Sequence, residues 1–266
     1  MRAIHLLMVC FILILSNGCE RRFMENTKIP QKSGSASIDW ECVKNKRILF
    51  GHQSVGDNIV DGIKDVIANE RMSGITVKET VDSADFVKPV FAHFHVGRNK
   101  DPRSKIDDFK KKMETGLAKN VDIAFFKFCF VDIVSGTNIE EVFNAYTVTL
   151  DALQKEFPQV VFLHVMVPLM TNPSGIQARV KRMLGAAIEE DSDNNARKRF
   201  NLLLAGRYGA DNRLFDLAKL EIDPRSPGRY SLNPSFTDDG GHLNSVGREF
   251  IGKKLLEFVS QACKNK

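Results

Sequence analysis

The chain reads as an α/β protein: a three-layer α/β/α sandwich built on a mostly parallel sheet. Three observations predict this. Short apolar runs alternate with amphipathic stretches of helical period along most of the length. Two of the runs, Val121–Phe130 and Gln159–Val167, are close to continuously apolar, as strands covered by helices on both faces must be. No tandem repeat and no second regime of composition interrupts the pattern, so the 266 residues hold a single α/β domain with a core that needs no staples.

Taken in order, the first strand is the run Ile48-Leu49-Phe50, which stops near Gly51. A helix follows from about Ser54 to Asn69, with Val55, Ile59, Val60, Ile63, Val66 and Ile67 on one face. Gly74–Val77 predicts a short second strand. Asp82–Pro102 is less regular; it carries the apolar segment Val90–Ala92 and then His93 and His95. Lys105–Lys119 predicts a helix. Val121–Phe130 is a strand, and Asn138 with Glu141 three residues on marks the next helix start. Pro158 closes that helix before the strand Gln159–Val167, whose His164 reads as a core histidine. Helices over about Ile176–Ile188 and Asn195–Tyr208 precede a short strand at Arg213–Asp216. A Pro/Gly/Ser-rich connection, Asp223–Pro234, leads to the polar turn Asp238–His242, and a helix over about Ser245–Gln261 follows.

Composition excludes some classes. A net charge of +5 with Lys and Arg scattered among Asp and Glu offers no basic stripe, so no nucleic-acid surface is expected. Residues 1–18 have the form of a signal peptide: Met1-Arg2, then an apolar segment too short to span a bilayer permanently. It ends in Leu15-Ser16-Asn17-Gly18-Cys19, which resembles the lipobox of a bacterial lipoprotein with Cys19 as the lipid acceptor. Plain secretory cleavage is the alternative, and both readings place the protein outside the cytoplasm. Residues 19–39 are polar and without apolar period, a tether ahead of a domain at 40–266. Cys42 and Cys263 flank the domain, where a disulfide between them is geometrically reasonable in an oxidising compartment. Two unpaired thiols are the other reading.

The chemistry centres on Ser54. An apolar run, a glycine, a serine and then a helix present a hydroxyl at the carboxyl end of a strand, where open α/β sheets bind ligands. The plainer reading makes Ser54 a helix N-cap. Asp239 and His242, three residues apart before the last helix, come to the same rim. An acid beside an imidazole fixes its tautomer and lets it take a proton from a serine hydroxyl. His93 and His95 share a strand face, but the sequence sets no carboxylate or third histidine at ligand spacing beside them, so no metal is assigned. Cys129 reads as a small core residue.

Phe50–Gly56 and Asp239–Asn244 (DGGHLN) resemble the first and last sequence blocks of the SGNH/GDSL hydrolase superfamily. The resemblance covers nearly all of Arg47–Val259 and implies a flavodoxin-like sheet. It also implies catalysis by Ser54 as nucleophile, His242 as base and Asp239 as its orienter. Oxyanion donors would come from the Ser54 and Gly97 N–H groups. The chain departs from the family where Gln53 replaces the acid before the serine. It departs again where Val131 stands in place of the third-block Asn, in the stretch Cys129-Phe130-Val131-Asp132. Asn99 is the expected substitute donor, with Lys127 as the alternative; losing one such donor costs about 10²–10³ in rate.

The implied function is an exported serine esterase acting on a small acyl ester, including one of a carbohydrate, with no cofactor and membrane attachment only through Cys19. The competing reading is a catalytically silent domain that binds glycan or a protein partner at the cell envelope. A nucleotide-binding flavodoxin-like protein is more remote, because Gly51 and Gly56 lack G-x-G-x-x-G spacing.

Overall fold

The computed structural model describes residues 37–173, 175–186, 188–224 and 229–263. The leader 1–18, Cys19 and all but the last three residues of the tether 19–39 lie outside the described residues. No helix among the described residues is long and apolar enough to cross a membrane.

The chain begins with a short helix, α1 (Trp40–Lys44), capped by the Asp39 carboxylate accepting from Cys42 N–H. It then enters β1 (Arg47–His52) and α2 (Val55–Asn69). β2 (Val77–Glu79), β3 (Val90–His95), α3 (Pro102–Glu114), β4 (Ile123–Phe126) and α4 (Ile139–Glu156) follow. The next strand comes in two pieces, β5 (Val161–Phe162) and β6 (His164–Val165). α5 (Ile176–Met183), α6 (Glu189–Tyr208), β7 (Leu214–Phe215), α7 (Leu217–Glu221) and α8 (Ser245–Ala262) complete the order.

Five strands form an all-parallel sheet in the order β2-β3-β1-β4-β5. Beyond Leu163 the same chain segment, as β6, pairs in parallel with β7. One helical layer holds α1, α2 and α8, and the other holds α3, α4 and α6. The result is the α/β/α sandwich with a parallel, flavodoxin-like sheet that the sequence predicts. β1 is buried from Ile48 to His52 and lies between β3 and β4, so the chain leaves it toward one side of the sheet and later returns on the other. Its carboxyl end is therefore the switch point at which such sheets bind ligands.

Local signals set most boundaries. Asn138 accepts from Glu141 N–H at the start of α4, Asp101 caps α3 ahead of Pro102, and Asn244 caps α8 through Gly247 N–H. Some expectations shift. The segment expected to be irregular contains β3, a strand flanked on both sides by others, because its apolar run extends through His93 and Phe94 once both are buried. The short strand expected at Gly74–Val77 forms later, at Val77–Glu79. α6 begins six residues earlier than its apolar period suggests, at Glu189, because its first turn is acidic and favours the positive end of the helix. Neither α1 nor α7 announces itself in so few residues.

Cys42 on α1 and Cys263 after α8 form a disulfide across 221 residues of sequence, with Cα atoms 6.2 Å apart. In the chain-entropy picture, closing so long a loop restricts the unfolded chain strongly.

Two buried histidines favour the fold less as pH falls. His164 accepts from the Tyr146 hydroxyl at 2.8 Å and stacks on Tyr208. Burial, followed by Arg213, pushes its pKa down to about 3. Burial, followed by Lys127, pushes His52 down to about 2. Both stay neutral in the fold, whereas the unfolded chain protonates them below its usual value near 6.5, so the contribution of each is full above that pH and falls as pH drops. Well below pH 6.5 the contribution of each histidine is expected to fall by about 1.4 kcal/mol per pH unit, while buried Glu221, pushed up to about 8, changes in the opposite sense. Denaturant unfolding at a series of pH values measures the slope, and His164→Gln should reduce it by one histidine's share.

Candidate active site

β1 ends at His52, and the chain turns through Gln53 and Ser54 into α2. Ser54 has φ 54° and ψ −105°, backbone that a residue with a Cβ adopts only when its surroundings impose it, at a cost on the order of 1–3 kcal/mol. It stands at the N-cap position, yet its side chain makes no capping hydrogen bond to the helix. The hydroxyl instead reaches His242 Nε2 at 2.5 Å. His242 Nδ1 meets Asp239 Oδ2 at 2.6 Å. The structure thus brings Ser54, His242 and Asp239 into one hydrogen-bonded chain across 188 residues of sequence. With the Nδ1 proton donated to Asp239, the Nε2 lone pair faces the Ser54 hydroxyl.

Asp239 is fixed by its own turn. Oδ1 accepts from Gly241 N–H at 2.9 Å and His242 N–H at 2.8 Å, and from the Thr237 hydroxyl at 3.2 Å. Those backbone N–H groups, ahead of the imidazole, hold the carboxyl well below the usual carboxylate range. Thr171 N–H donates to Gly240 O, and Leu243 N–H donates to Asn58 Oδ1 on α2, so the turn is tied to both sides. The Phe130 ring packs edge-on against the imidazole at 5.7 Å. Arg197, itself buried, lies over that ring and donates from Nε to Phe130 O. Asn58, Phe130 and Arg197 were not legible as site residues, because each is brought in by tertiary packing, and Thr237, though local to the turn, carries no signature of its own.

The remaining expected site residues lie in the loop after β3. Gln53 Nε2 donates to Gly97 O at 2.9 Å and more weakly to Val96 O, which lashes this loop to the Ser54 turn. A carboxylate in that position could not donate, so the amide suits these two carbonyls. Gly97, with φ +52°, directs its N–H at Asp108 Oδ2, 2.9 Å away, and so differs from the free oxyanion donor expected of it. Asn99 is exposed, and its Oδ1 accepts from Lys105 Nζ at 2.9 Å. Lys105 in turn pairs with Asp132 at 2.5 Å in a fully buried ion pair. Asp132 also accepts from Cys129 N–H and Lys100 N–H, so every partner in this knot is hydrogen-bonded. Lys127 Nζ lies buried behind the Ser54 turn, reaching Gln53 O, Phe128 O and Cys129 Sγ, and burial lowers its pKa. Cys129 is buried too, with its thiol donating to Gln53 O.

The histidines of β3 differ from their sequence reading. His52 is the register partner of His95 on the neighbouring strand, and Asp57 on the first turn of α2 stands beside both. A third histidine and a carboxylate are therefore present, supplied from outside the local sequence. A groove of about 340 Å³, lined by Asn172, Pro173, Arg229, Leu232, Asp238 and Gly240 among others, adjoins the Asp239 turn.

Two solved structures are among those to which the chain is similar. One is described as "a putative platelet activating factor from Streptococcus pneumonia", with TM-score 0.48 and 12% identity over 94% of this chain and 99% of that one. The other is "a putative lipolytic protein of G-D-S-L family from Desulfitobacterium hafniense DCB-2", with TM-score 0.45 and 10% identity over 80% and 99%. No family model matches, and no curated protein matches. The chemistry of the site therefore rests on this chain's own residues.

Replacing Gln53 by Glu would set a carboxylate against the Gly97 and Val96 carbonyls and remove their donor. The expected loss is about 1–3 kcal/mol of stability at neutral pH, recovered in part on acidification, and urea unfolding reads it.

Proposed function

We propose that this protein is an exported serine esterase that hydrolyses a small acyl ester through Ser54, His242 and Asp239. One observation carries the reading: a serine held in rare backbone geometry at the switch point of a parallel sheet, its hydroxyl turned from helix capping to an imidazole that a carboxylate orients.

The steps follow from that geometry. Ser54 Oγ attacks the ester carbonyl as His242 Nε2 takes its proton. Asp239 holds the imidazole in the tautomer that can do so and stabilises the imidazolium. Collapse of the tetrahedral adduct expels the alcohol, which leaves with the proton from His242. Water then enters, loses its proton to His242 and attacks the acyl carbon, releasing the acid and restoring Ser54. Ser54 N–H, at the amino end of α2, supports the oxyanion. Asn99 supplies the second donor: Lys105 holds its Oδ1, which leaves the amide NH₂ to donate, and Gln53 keeps its loop beside the Ser54 turn. No cofactor is required for these steps. Export, with lipid attachment at Cys19, completes the proposal.

A second reading has one observation in its favour. Gly97 N–H is committed to Asp108, and Val131 offers no side-chain donor, so the oxyanion site is thinner than the family pattern implies. On that reading the domain binds glycan or a protein partner without turnover.

A fluorophosphonate probe separates the two. Wild type is expected to gain a single adduct by intact mass, lost in Ser54→Ala, and to hydrolyse p-nitrophenyl acetate. Asp239→Asn should lower kcat by about 10⁴ through the wrong imidazole tautomer. A folded wild type that takes no adduct and shows no turnover would sink the esterase reading. Asn99→Ala is expected to reduce kcat by about 10²-fold, and unchanged turnover removes Asn99 from the oxyanion site.

A further inference from the structure

We propose that His52, Asp57 and His95 form a binding site for one divalent transition-metal ion, zinc above all, at the rim where β1 and β3 meet the first turn of α2. His95 Nε2 lies 2.8 Å from Asp57 Oδ1, His52 Nδ1 lies 3.7 Å from the same oxygen, and all three ligand atoms fall within 4.8 Å of one another. A tetrahedral zinc with bonds near 2.0–2.1 Å needs ligand atoms about 3.4 Å apart. Asp57 and His95 are each about half exposed, at 47% of their side-chain surface, so both can make the small adjustment required.

The observation that points to a ligand is His52. It is fully buried, and its Nδ1 is the buried side-chain atom without a hydrogen-bond partner among the described residues. Buried polar atoms are rarely left unpaired, and this one faces the Asp57 and His95 ligand atoms. Its surroundings are shaped for it. A Cβ on Gly56 would come within 2.8 Å of Nδ1 and 2.2 Å of the His52 Cβ, so only glycine fits there.

The outer partners are also in place. Ligating imidazoles usually engage their second nitrogen with a fixed group that sets the tautomer. His52 Nε2 meets His93 Nδ1 at 3.0 Å, and His95 Nδ1 lies 3.5 Å from Glu79 Oε1. With Nε2–H donating to His93, the Nδ1 lone pair of His52 is left for the metal. His93 is thus a positioning residue rather than a ligand. Burial keeps His52 neutral, the form that ligates. Two imidazoles and one carboxylate suit zinc and its neighbours and not magnesium or calcium, which prefer all-oxygen sets. Since His52 stands two residues before Ser54, a bound ion would brace the turn that carries the hydroxyl.

The test is titration of the chelator-treated, disulfide-intact protein with Zn²⁺ by isothermal calorimetry, with Mg²⁺ as the comparison. Wild type and His242→Ala are each expected to bind one Zn²⁺ per chain, the second variant excluding the Ser54–His242–Asp239 cluster as the source. His95→Ala and Asp57→Ala, both at half-exposed positions, should weaken binding by about 10²-fold or more. They should also lose the zinc-induced rise in Tm, while circular dichroism confirms that they fold. Failure of folded wild type to bind zinc would overturn the proposal. So would binding unchanged in His95→Ala and Asp57→Ala, or binding abolished by His242→Ala alone. Because the readout is binding, it stands whether or not the esterase reading does.

Discussion

The crossing of α2 and α8 is the contact on which the site depends. A Cβ on Gly62 would come 1.8 Å from the Arg248 carbonyl oxygen, and one on Gly252 would come 2.6 Å from the Gly62 carbonyl carbon. Two glycines therefore let the helices touch backbone to backbone. Arg248–Asp65 at 2.8 Å and Asn69–Glu249 at 3.1 Å close the edges of that contact. Both helices start at the same rim of the sheet, so their close approach sets the Ser54 turn against the Asp239–His242 turn. The Cys42–Cys263 disulfide and the Asp39 N–H bond to Ser260 anchor the other end of α8.

Beneath the Ser54 turn lies a second constraint, made of buried polar groups that satisfy one another. Asp132 accepts from Lys105, Cys129 N–H and Lys100 N–H, joining the exit of β4 to the loop after β3. Gln53 joins that loop to the exit of β1. Breaking a pair such as Lys105–Asp132 strands a buried charge, at about 3–5 kcal/mol. Gln53 takes part in this knot, and Val131 stands next to it in sequence, beside Asp132. Gln53 brings an amide that donates to carbonyls, and Val131 brings no side-chain donor. These bonds tie the Ser54 turn to the loop after β3 and to the exit of β4.

The alternation of apolar runs and amphipathic helices was legible because burial on two faces leaves an uninterrupted signal in β1 and β4, and burial on one face leaves a helical period in α2 and α4. β3 was harder to see. Its His93 and Phe94 read as an irregular mix until β1 and β2 pair with them and bury them. The break at Leu163 was equally hidden, since it reflects a change of partner from β4 to β7 rather than any change in the residues.

The sequence by itself determined the strands and helices other than β3, α1 and α7, the cap at Asn138, and the spacing of Asp239 and His242, because each depends on residues within a few positions of one another. It also singled out Ser54 as either cap or nucleophile. Tertiary structure decided between those two positions of the hydroxyl, because the competing partner, His242, lies 188 residues away. It likewise turned the Gly97 N–H to Asp108, hung Asn99 on Lys105, and set His52 and Asp57 beside His95. Which atoms face one another across strands and helices is a matter of register and close packing. A chain with no Cβ at Gly56, Gly62 and Gly252 allows that packing, but only the folded arrangement shows what it brings together.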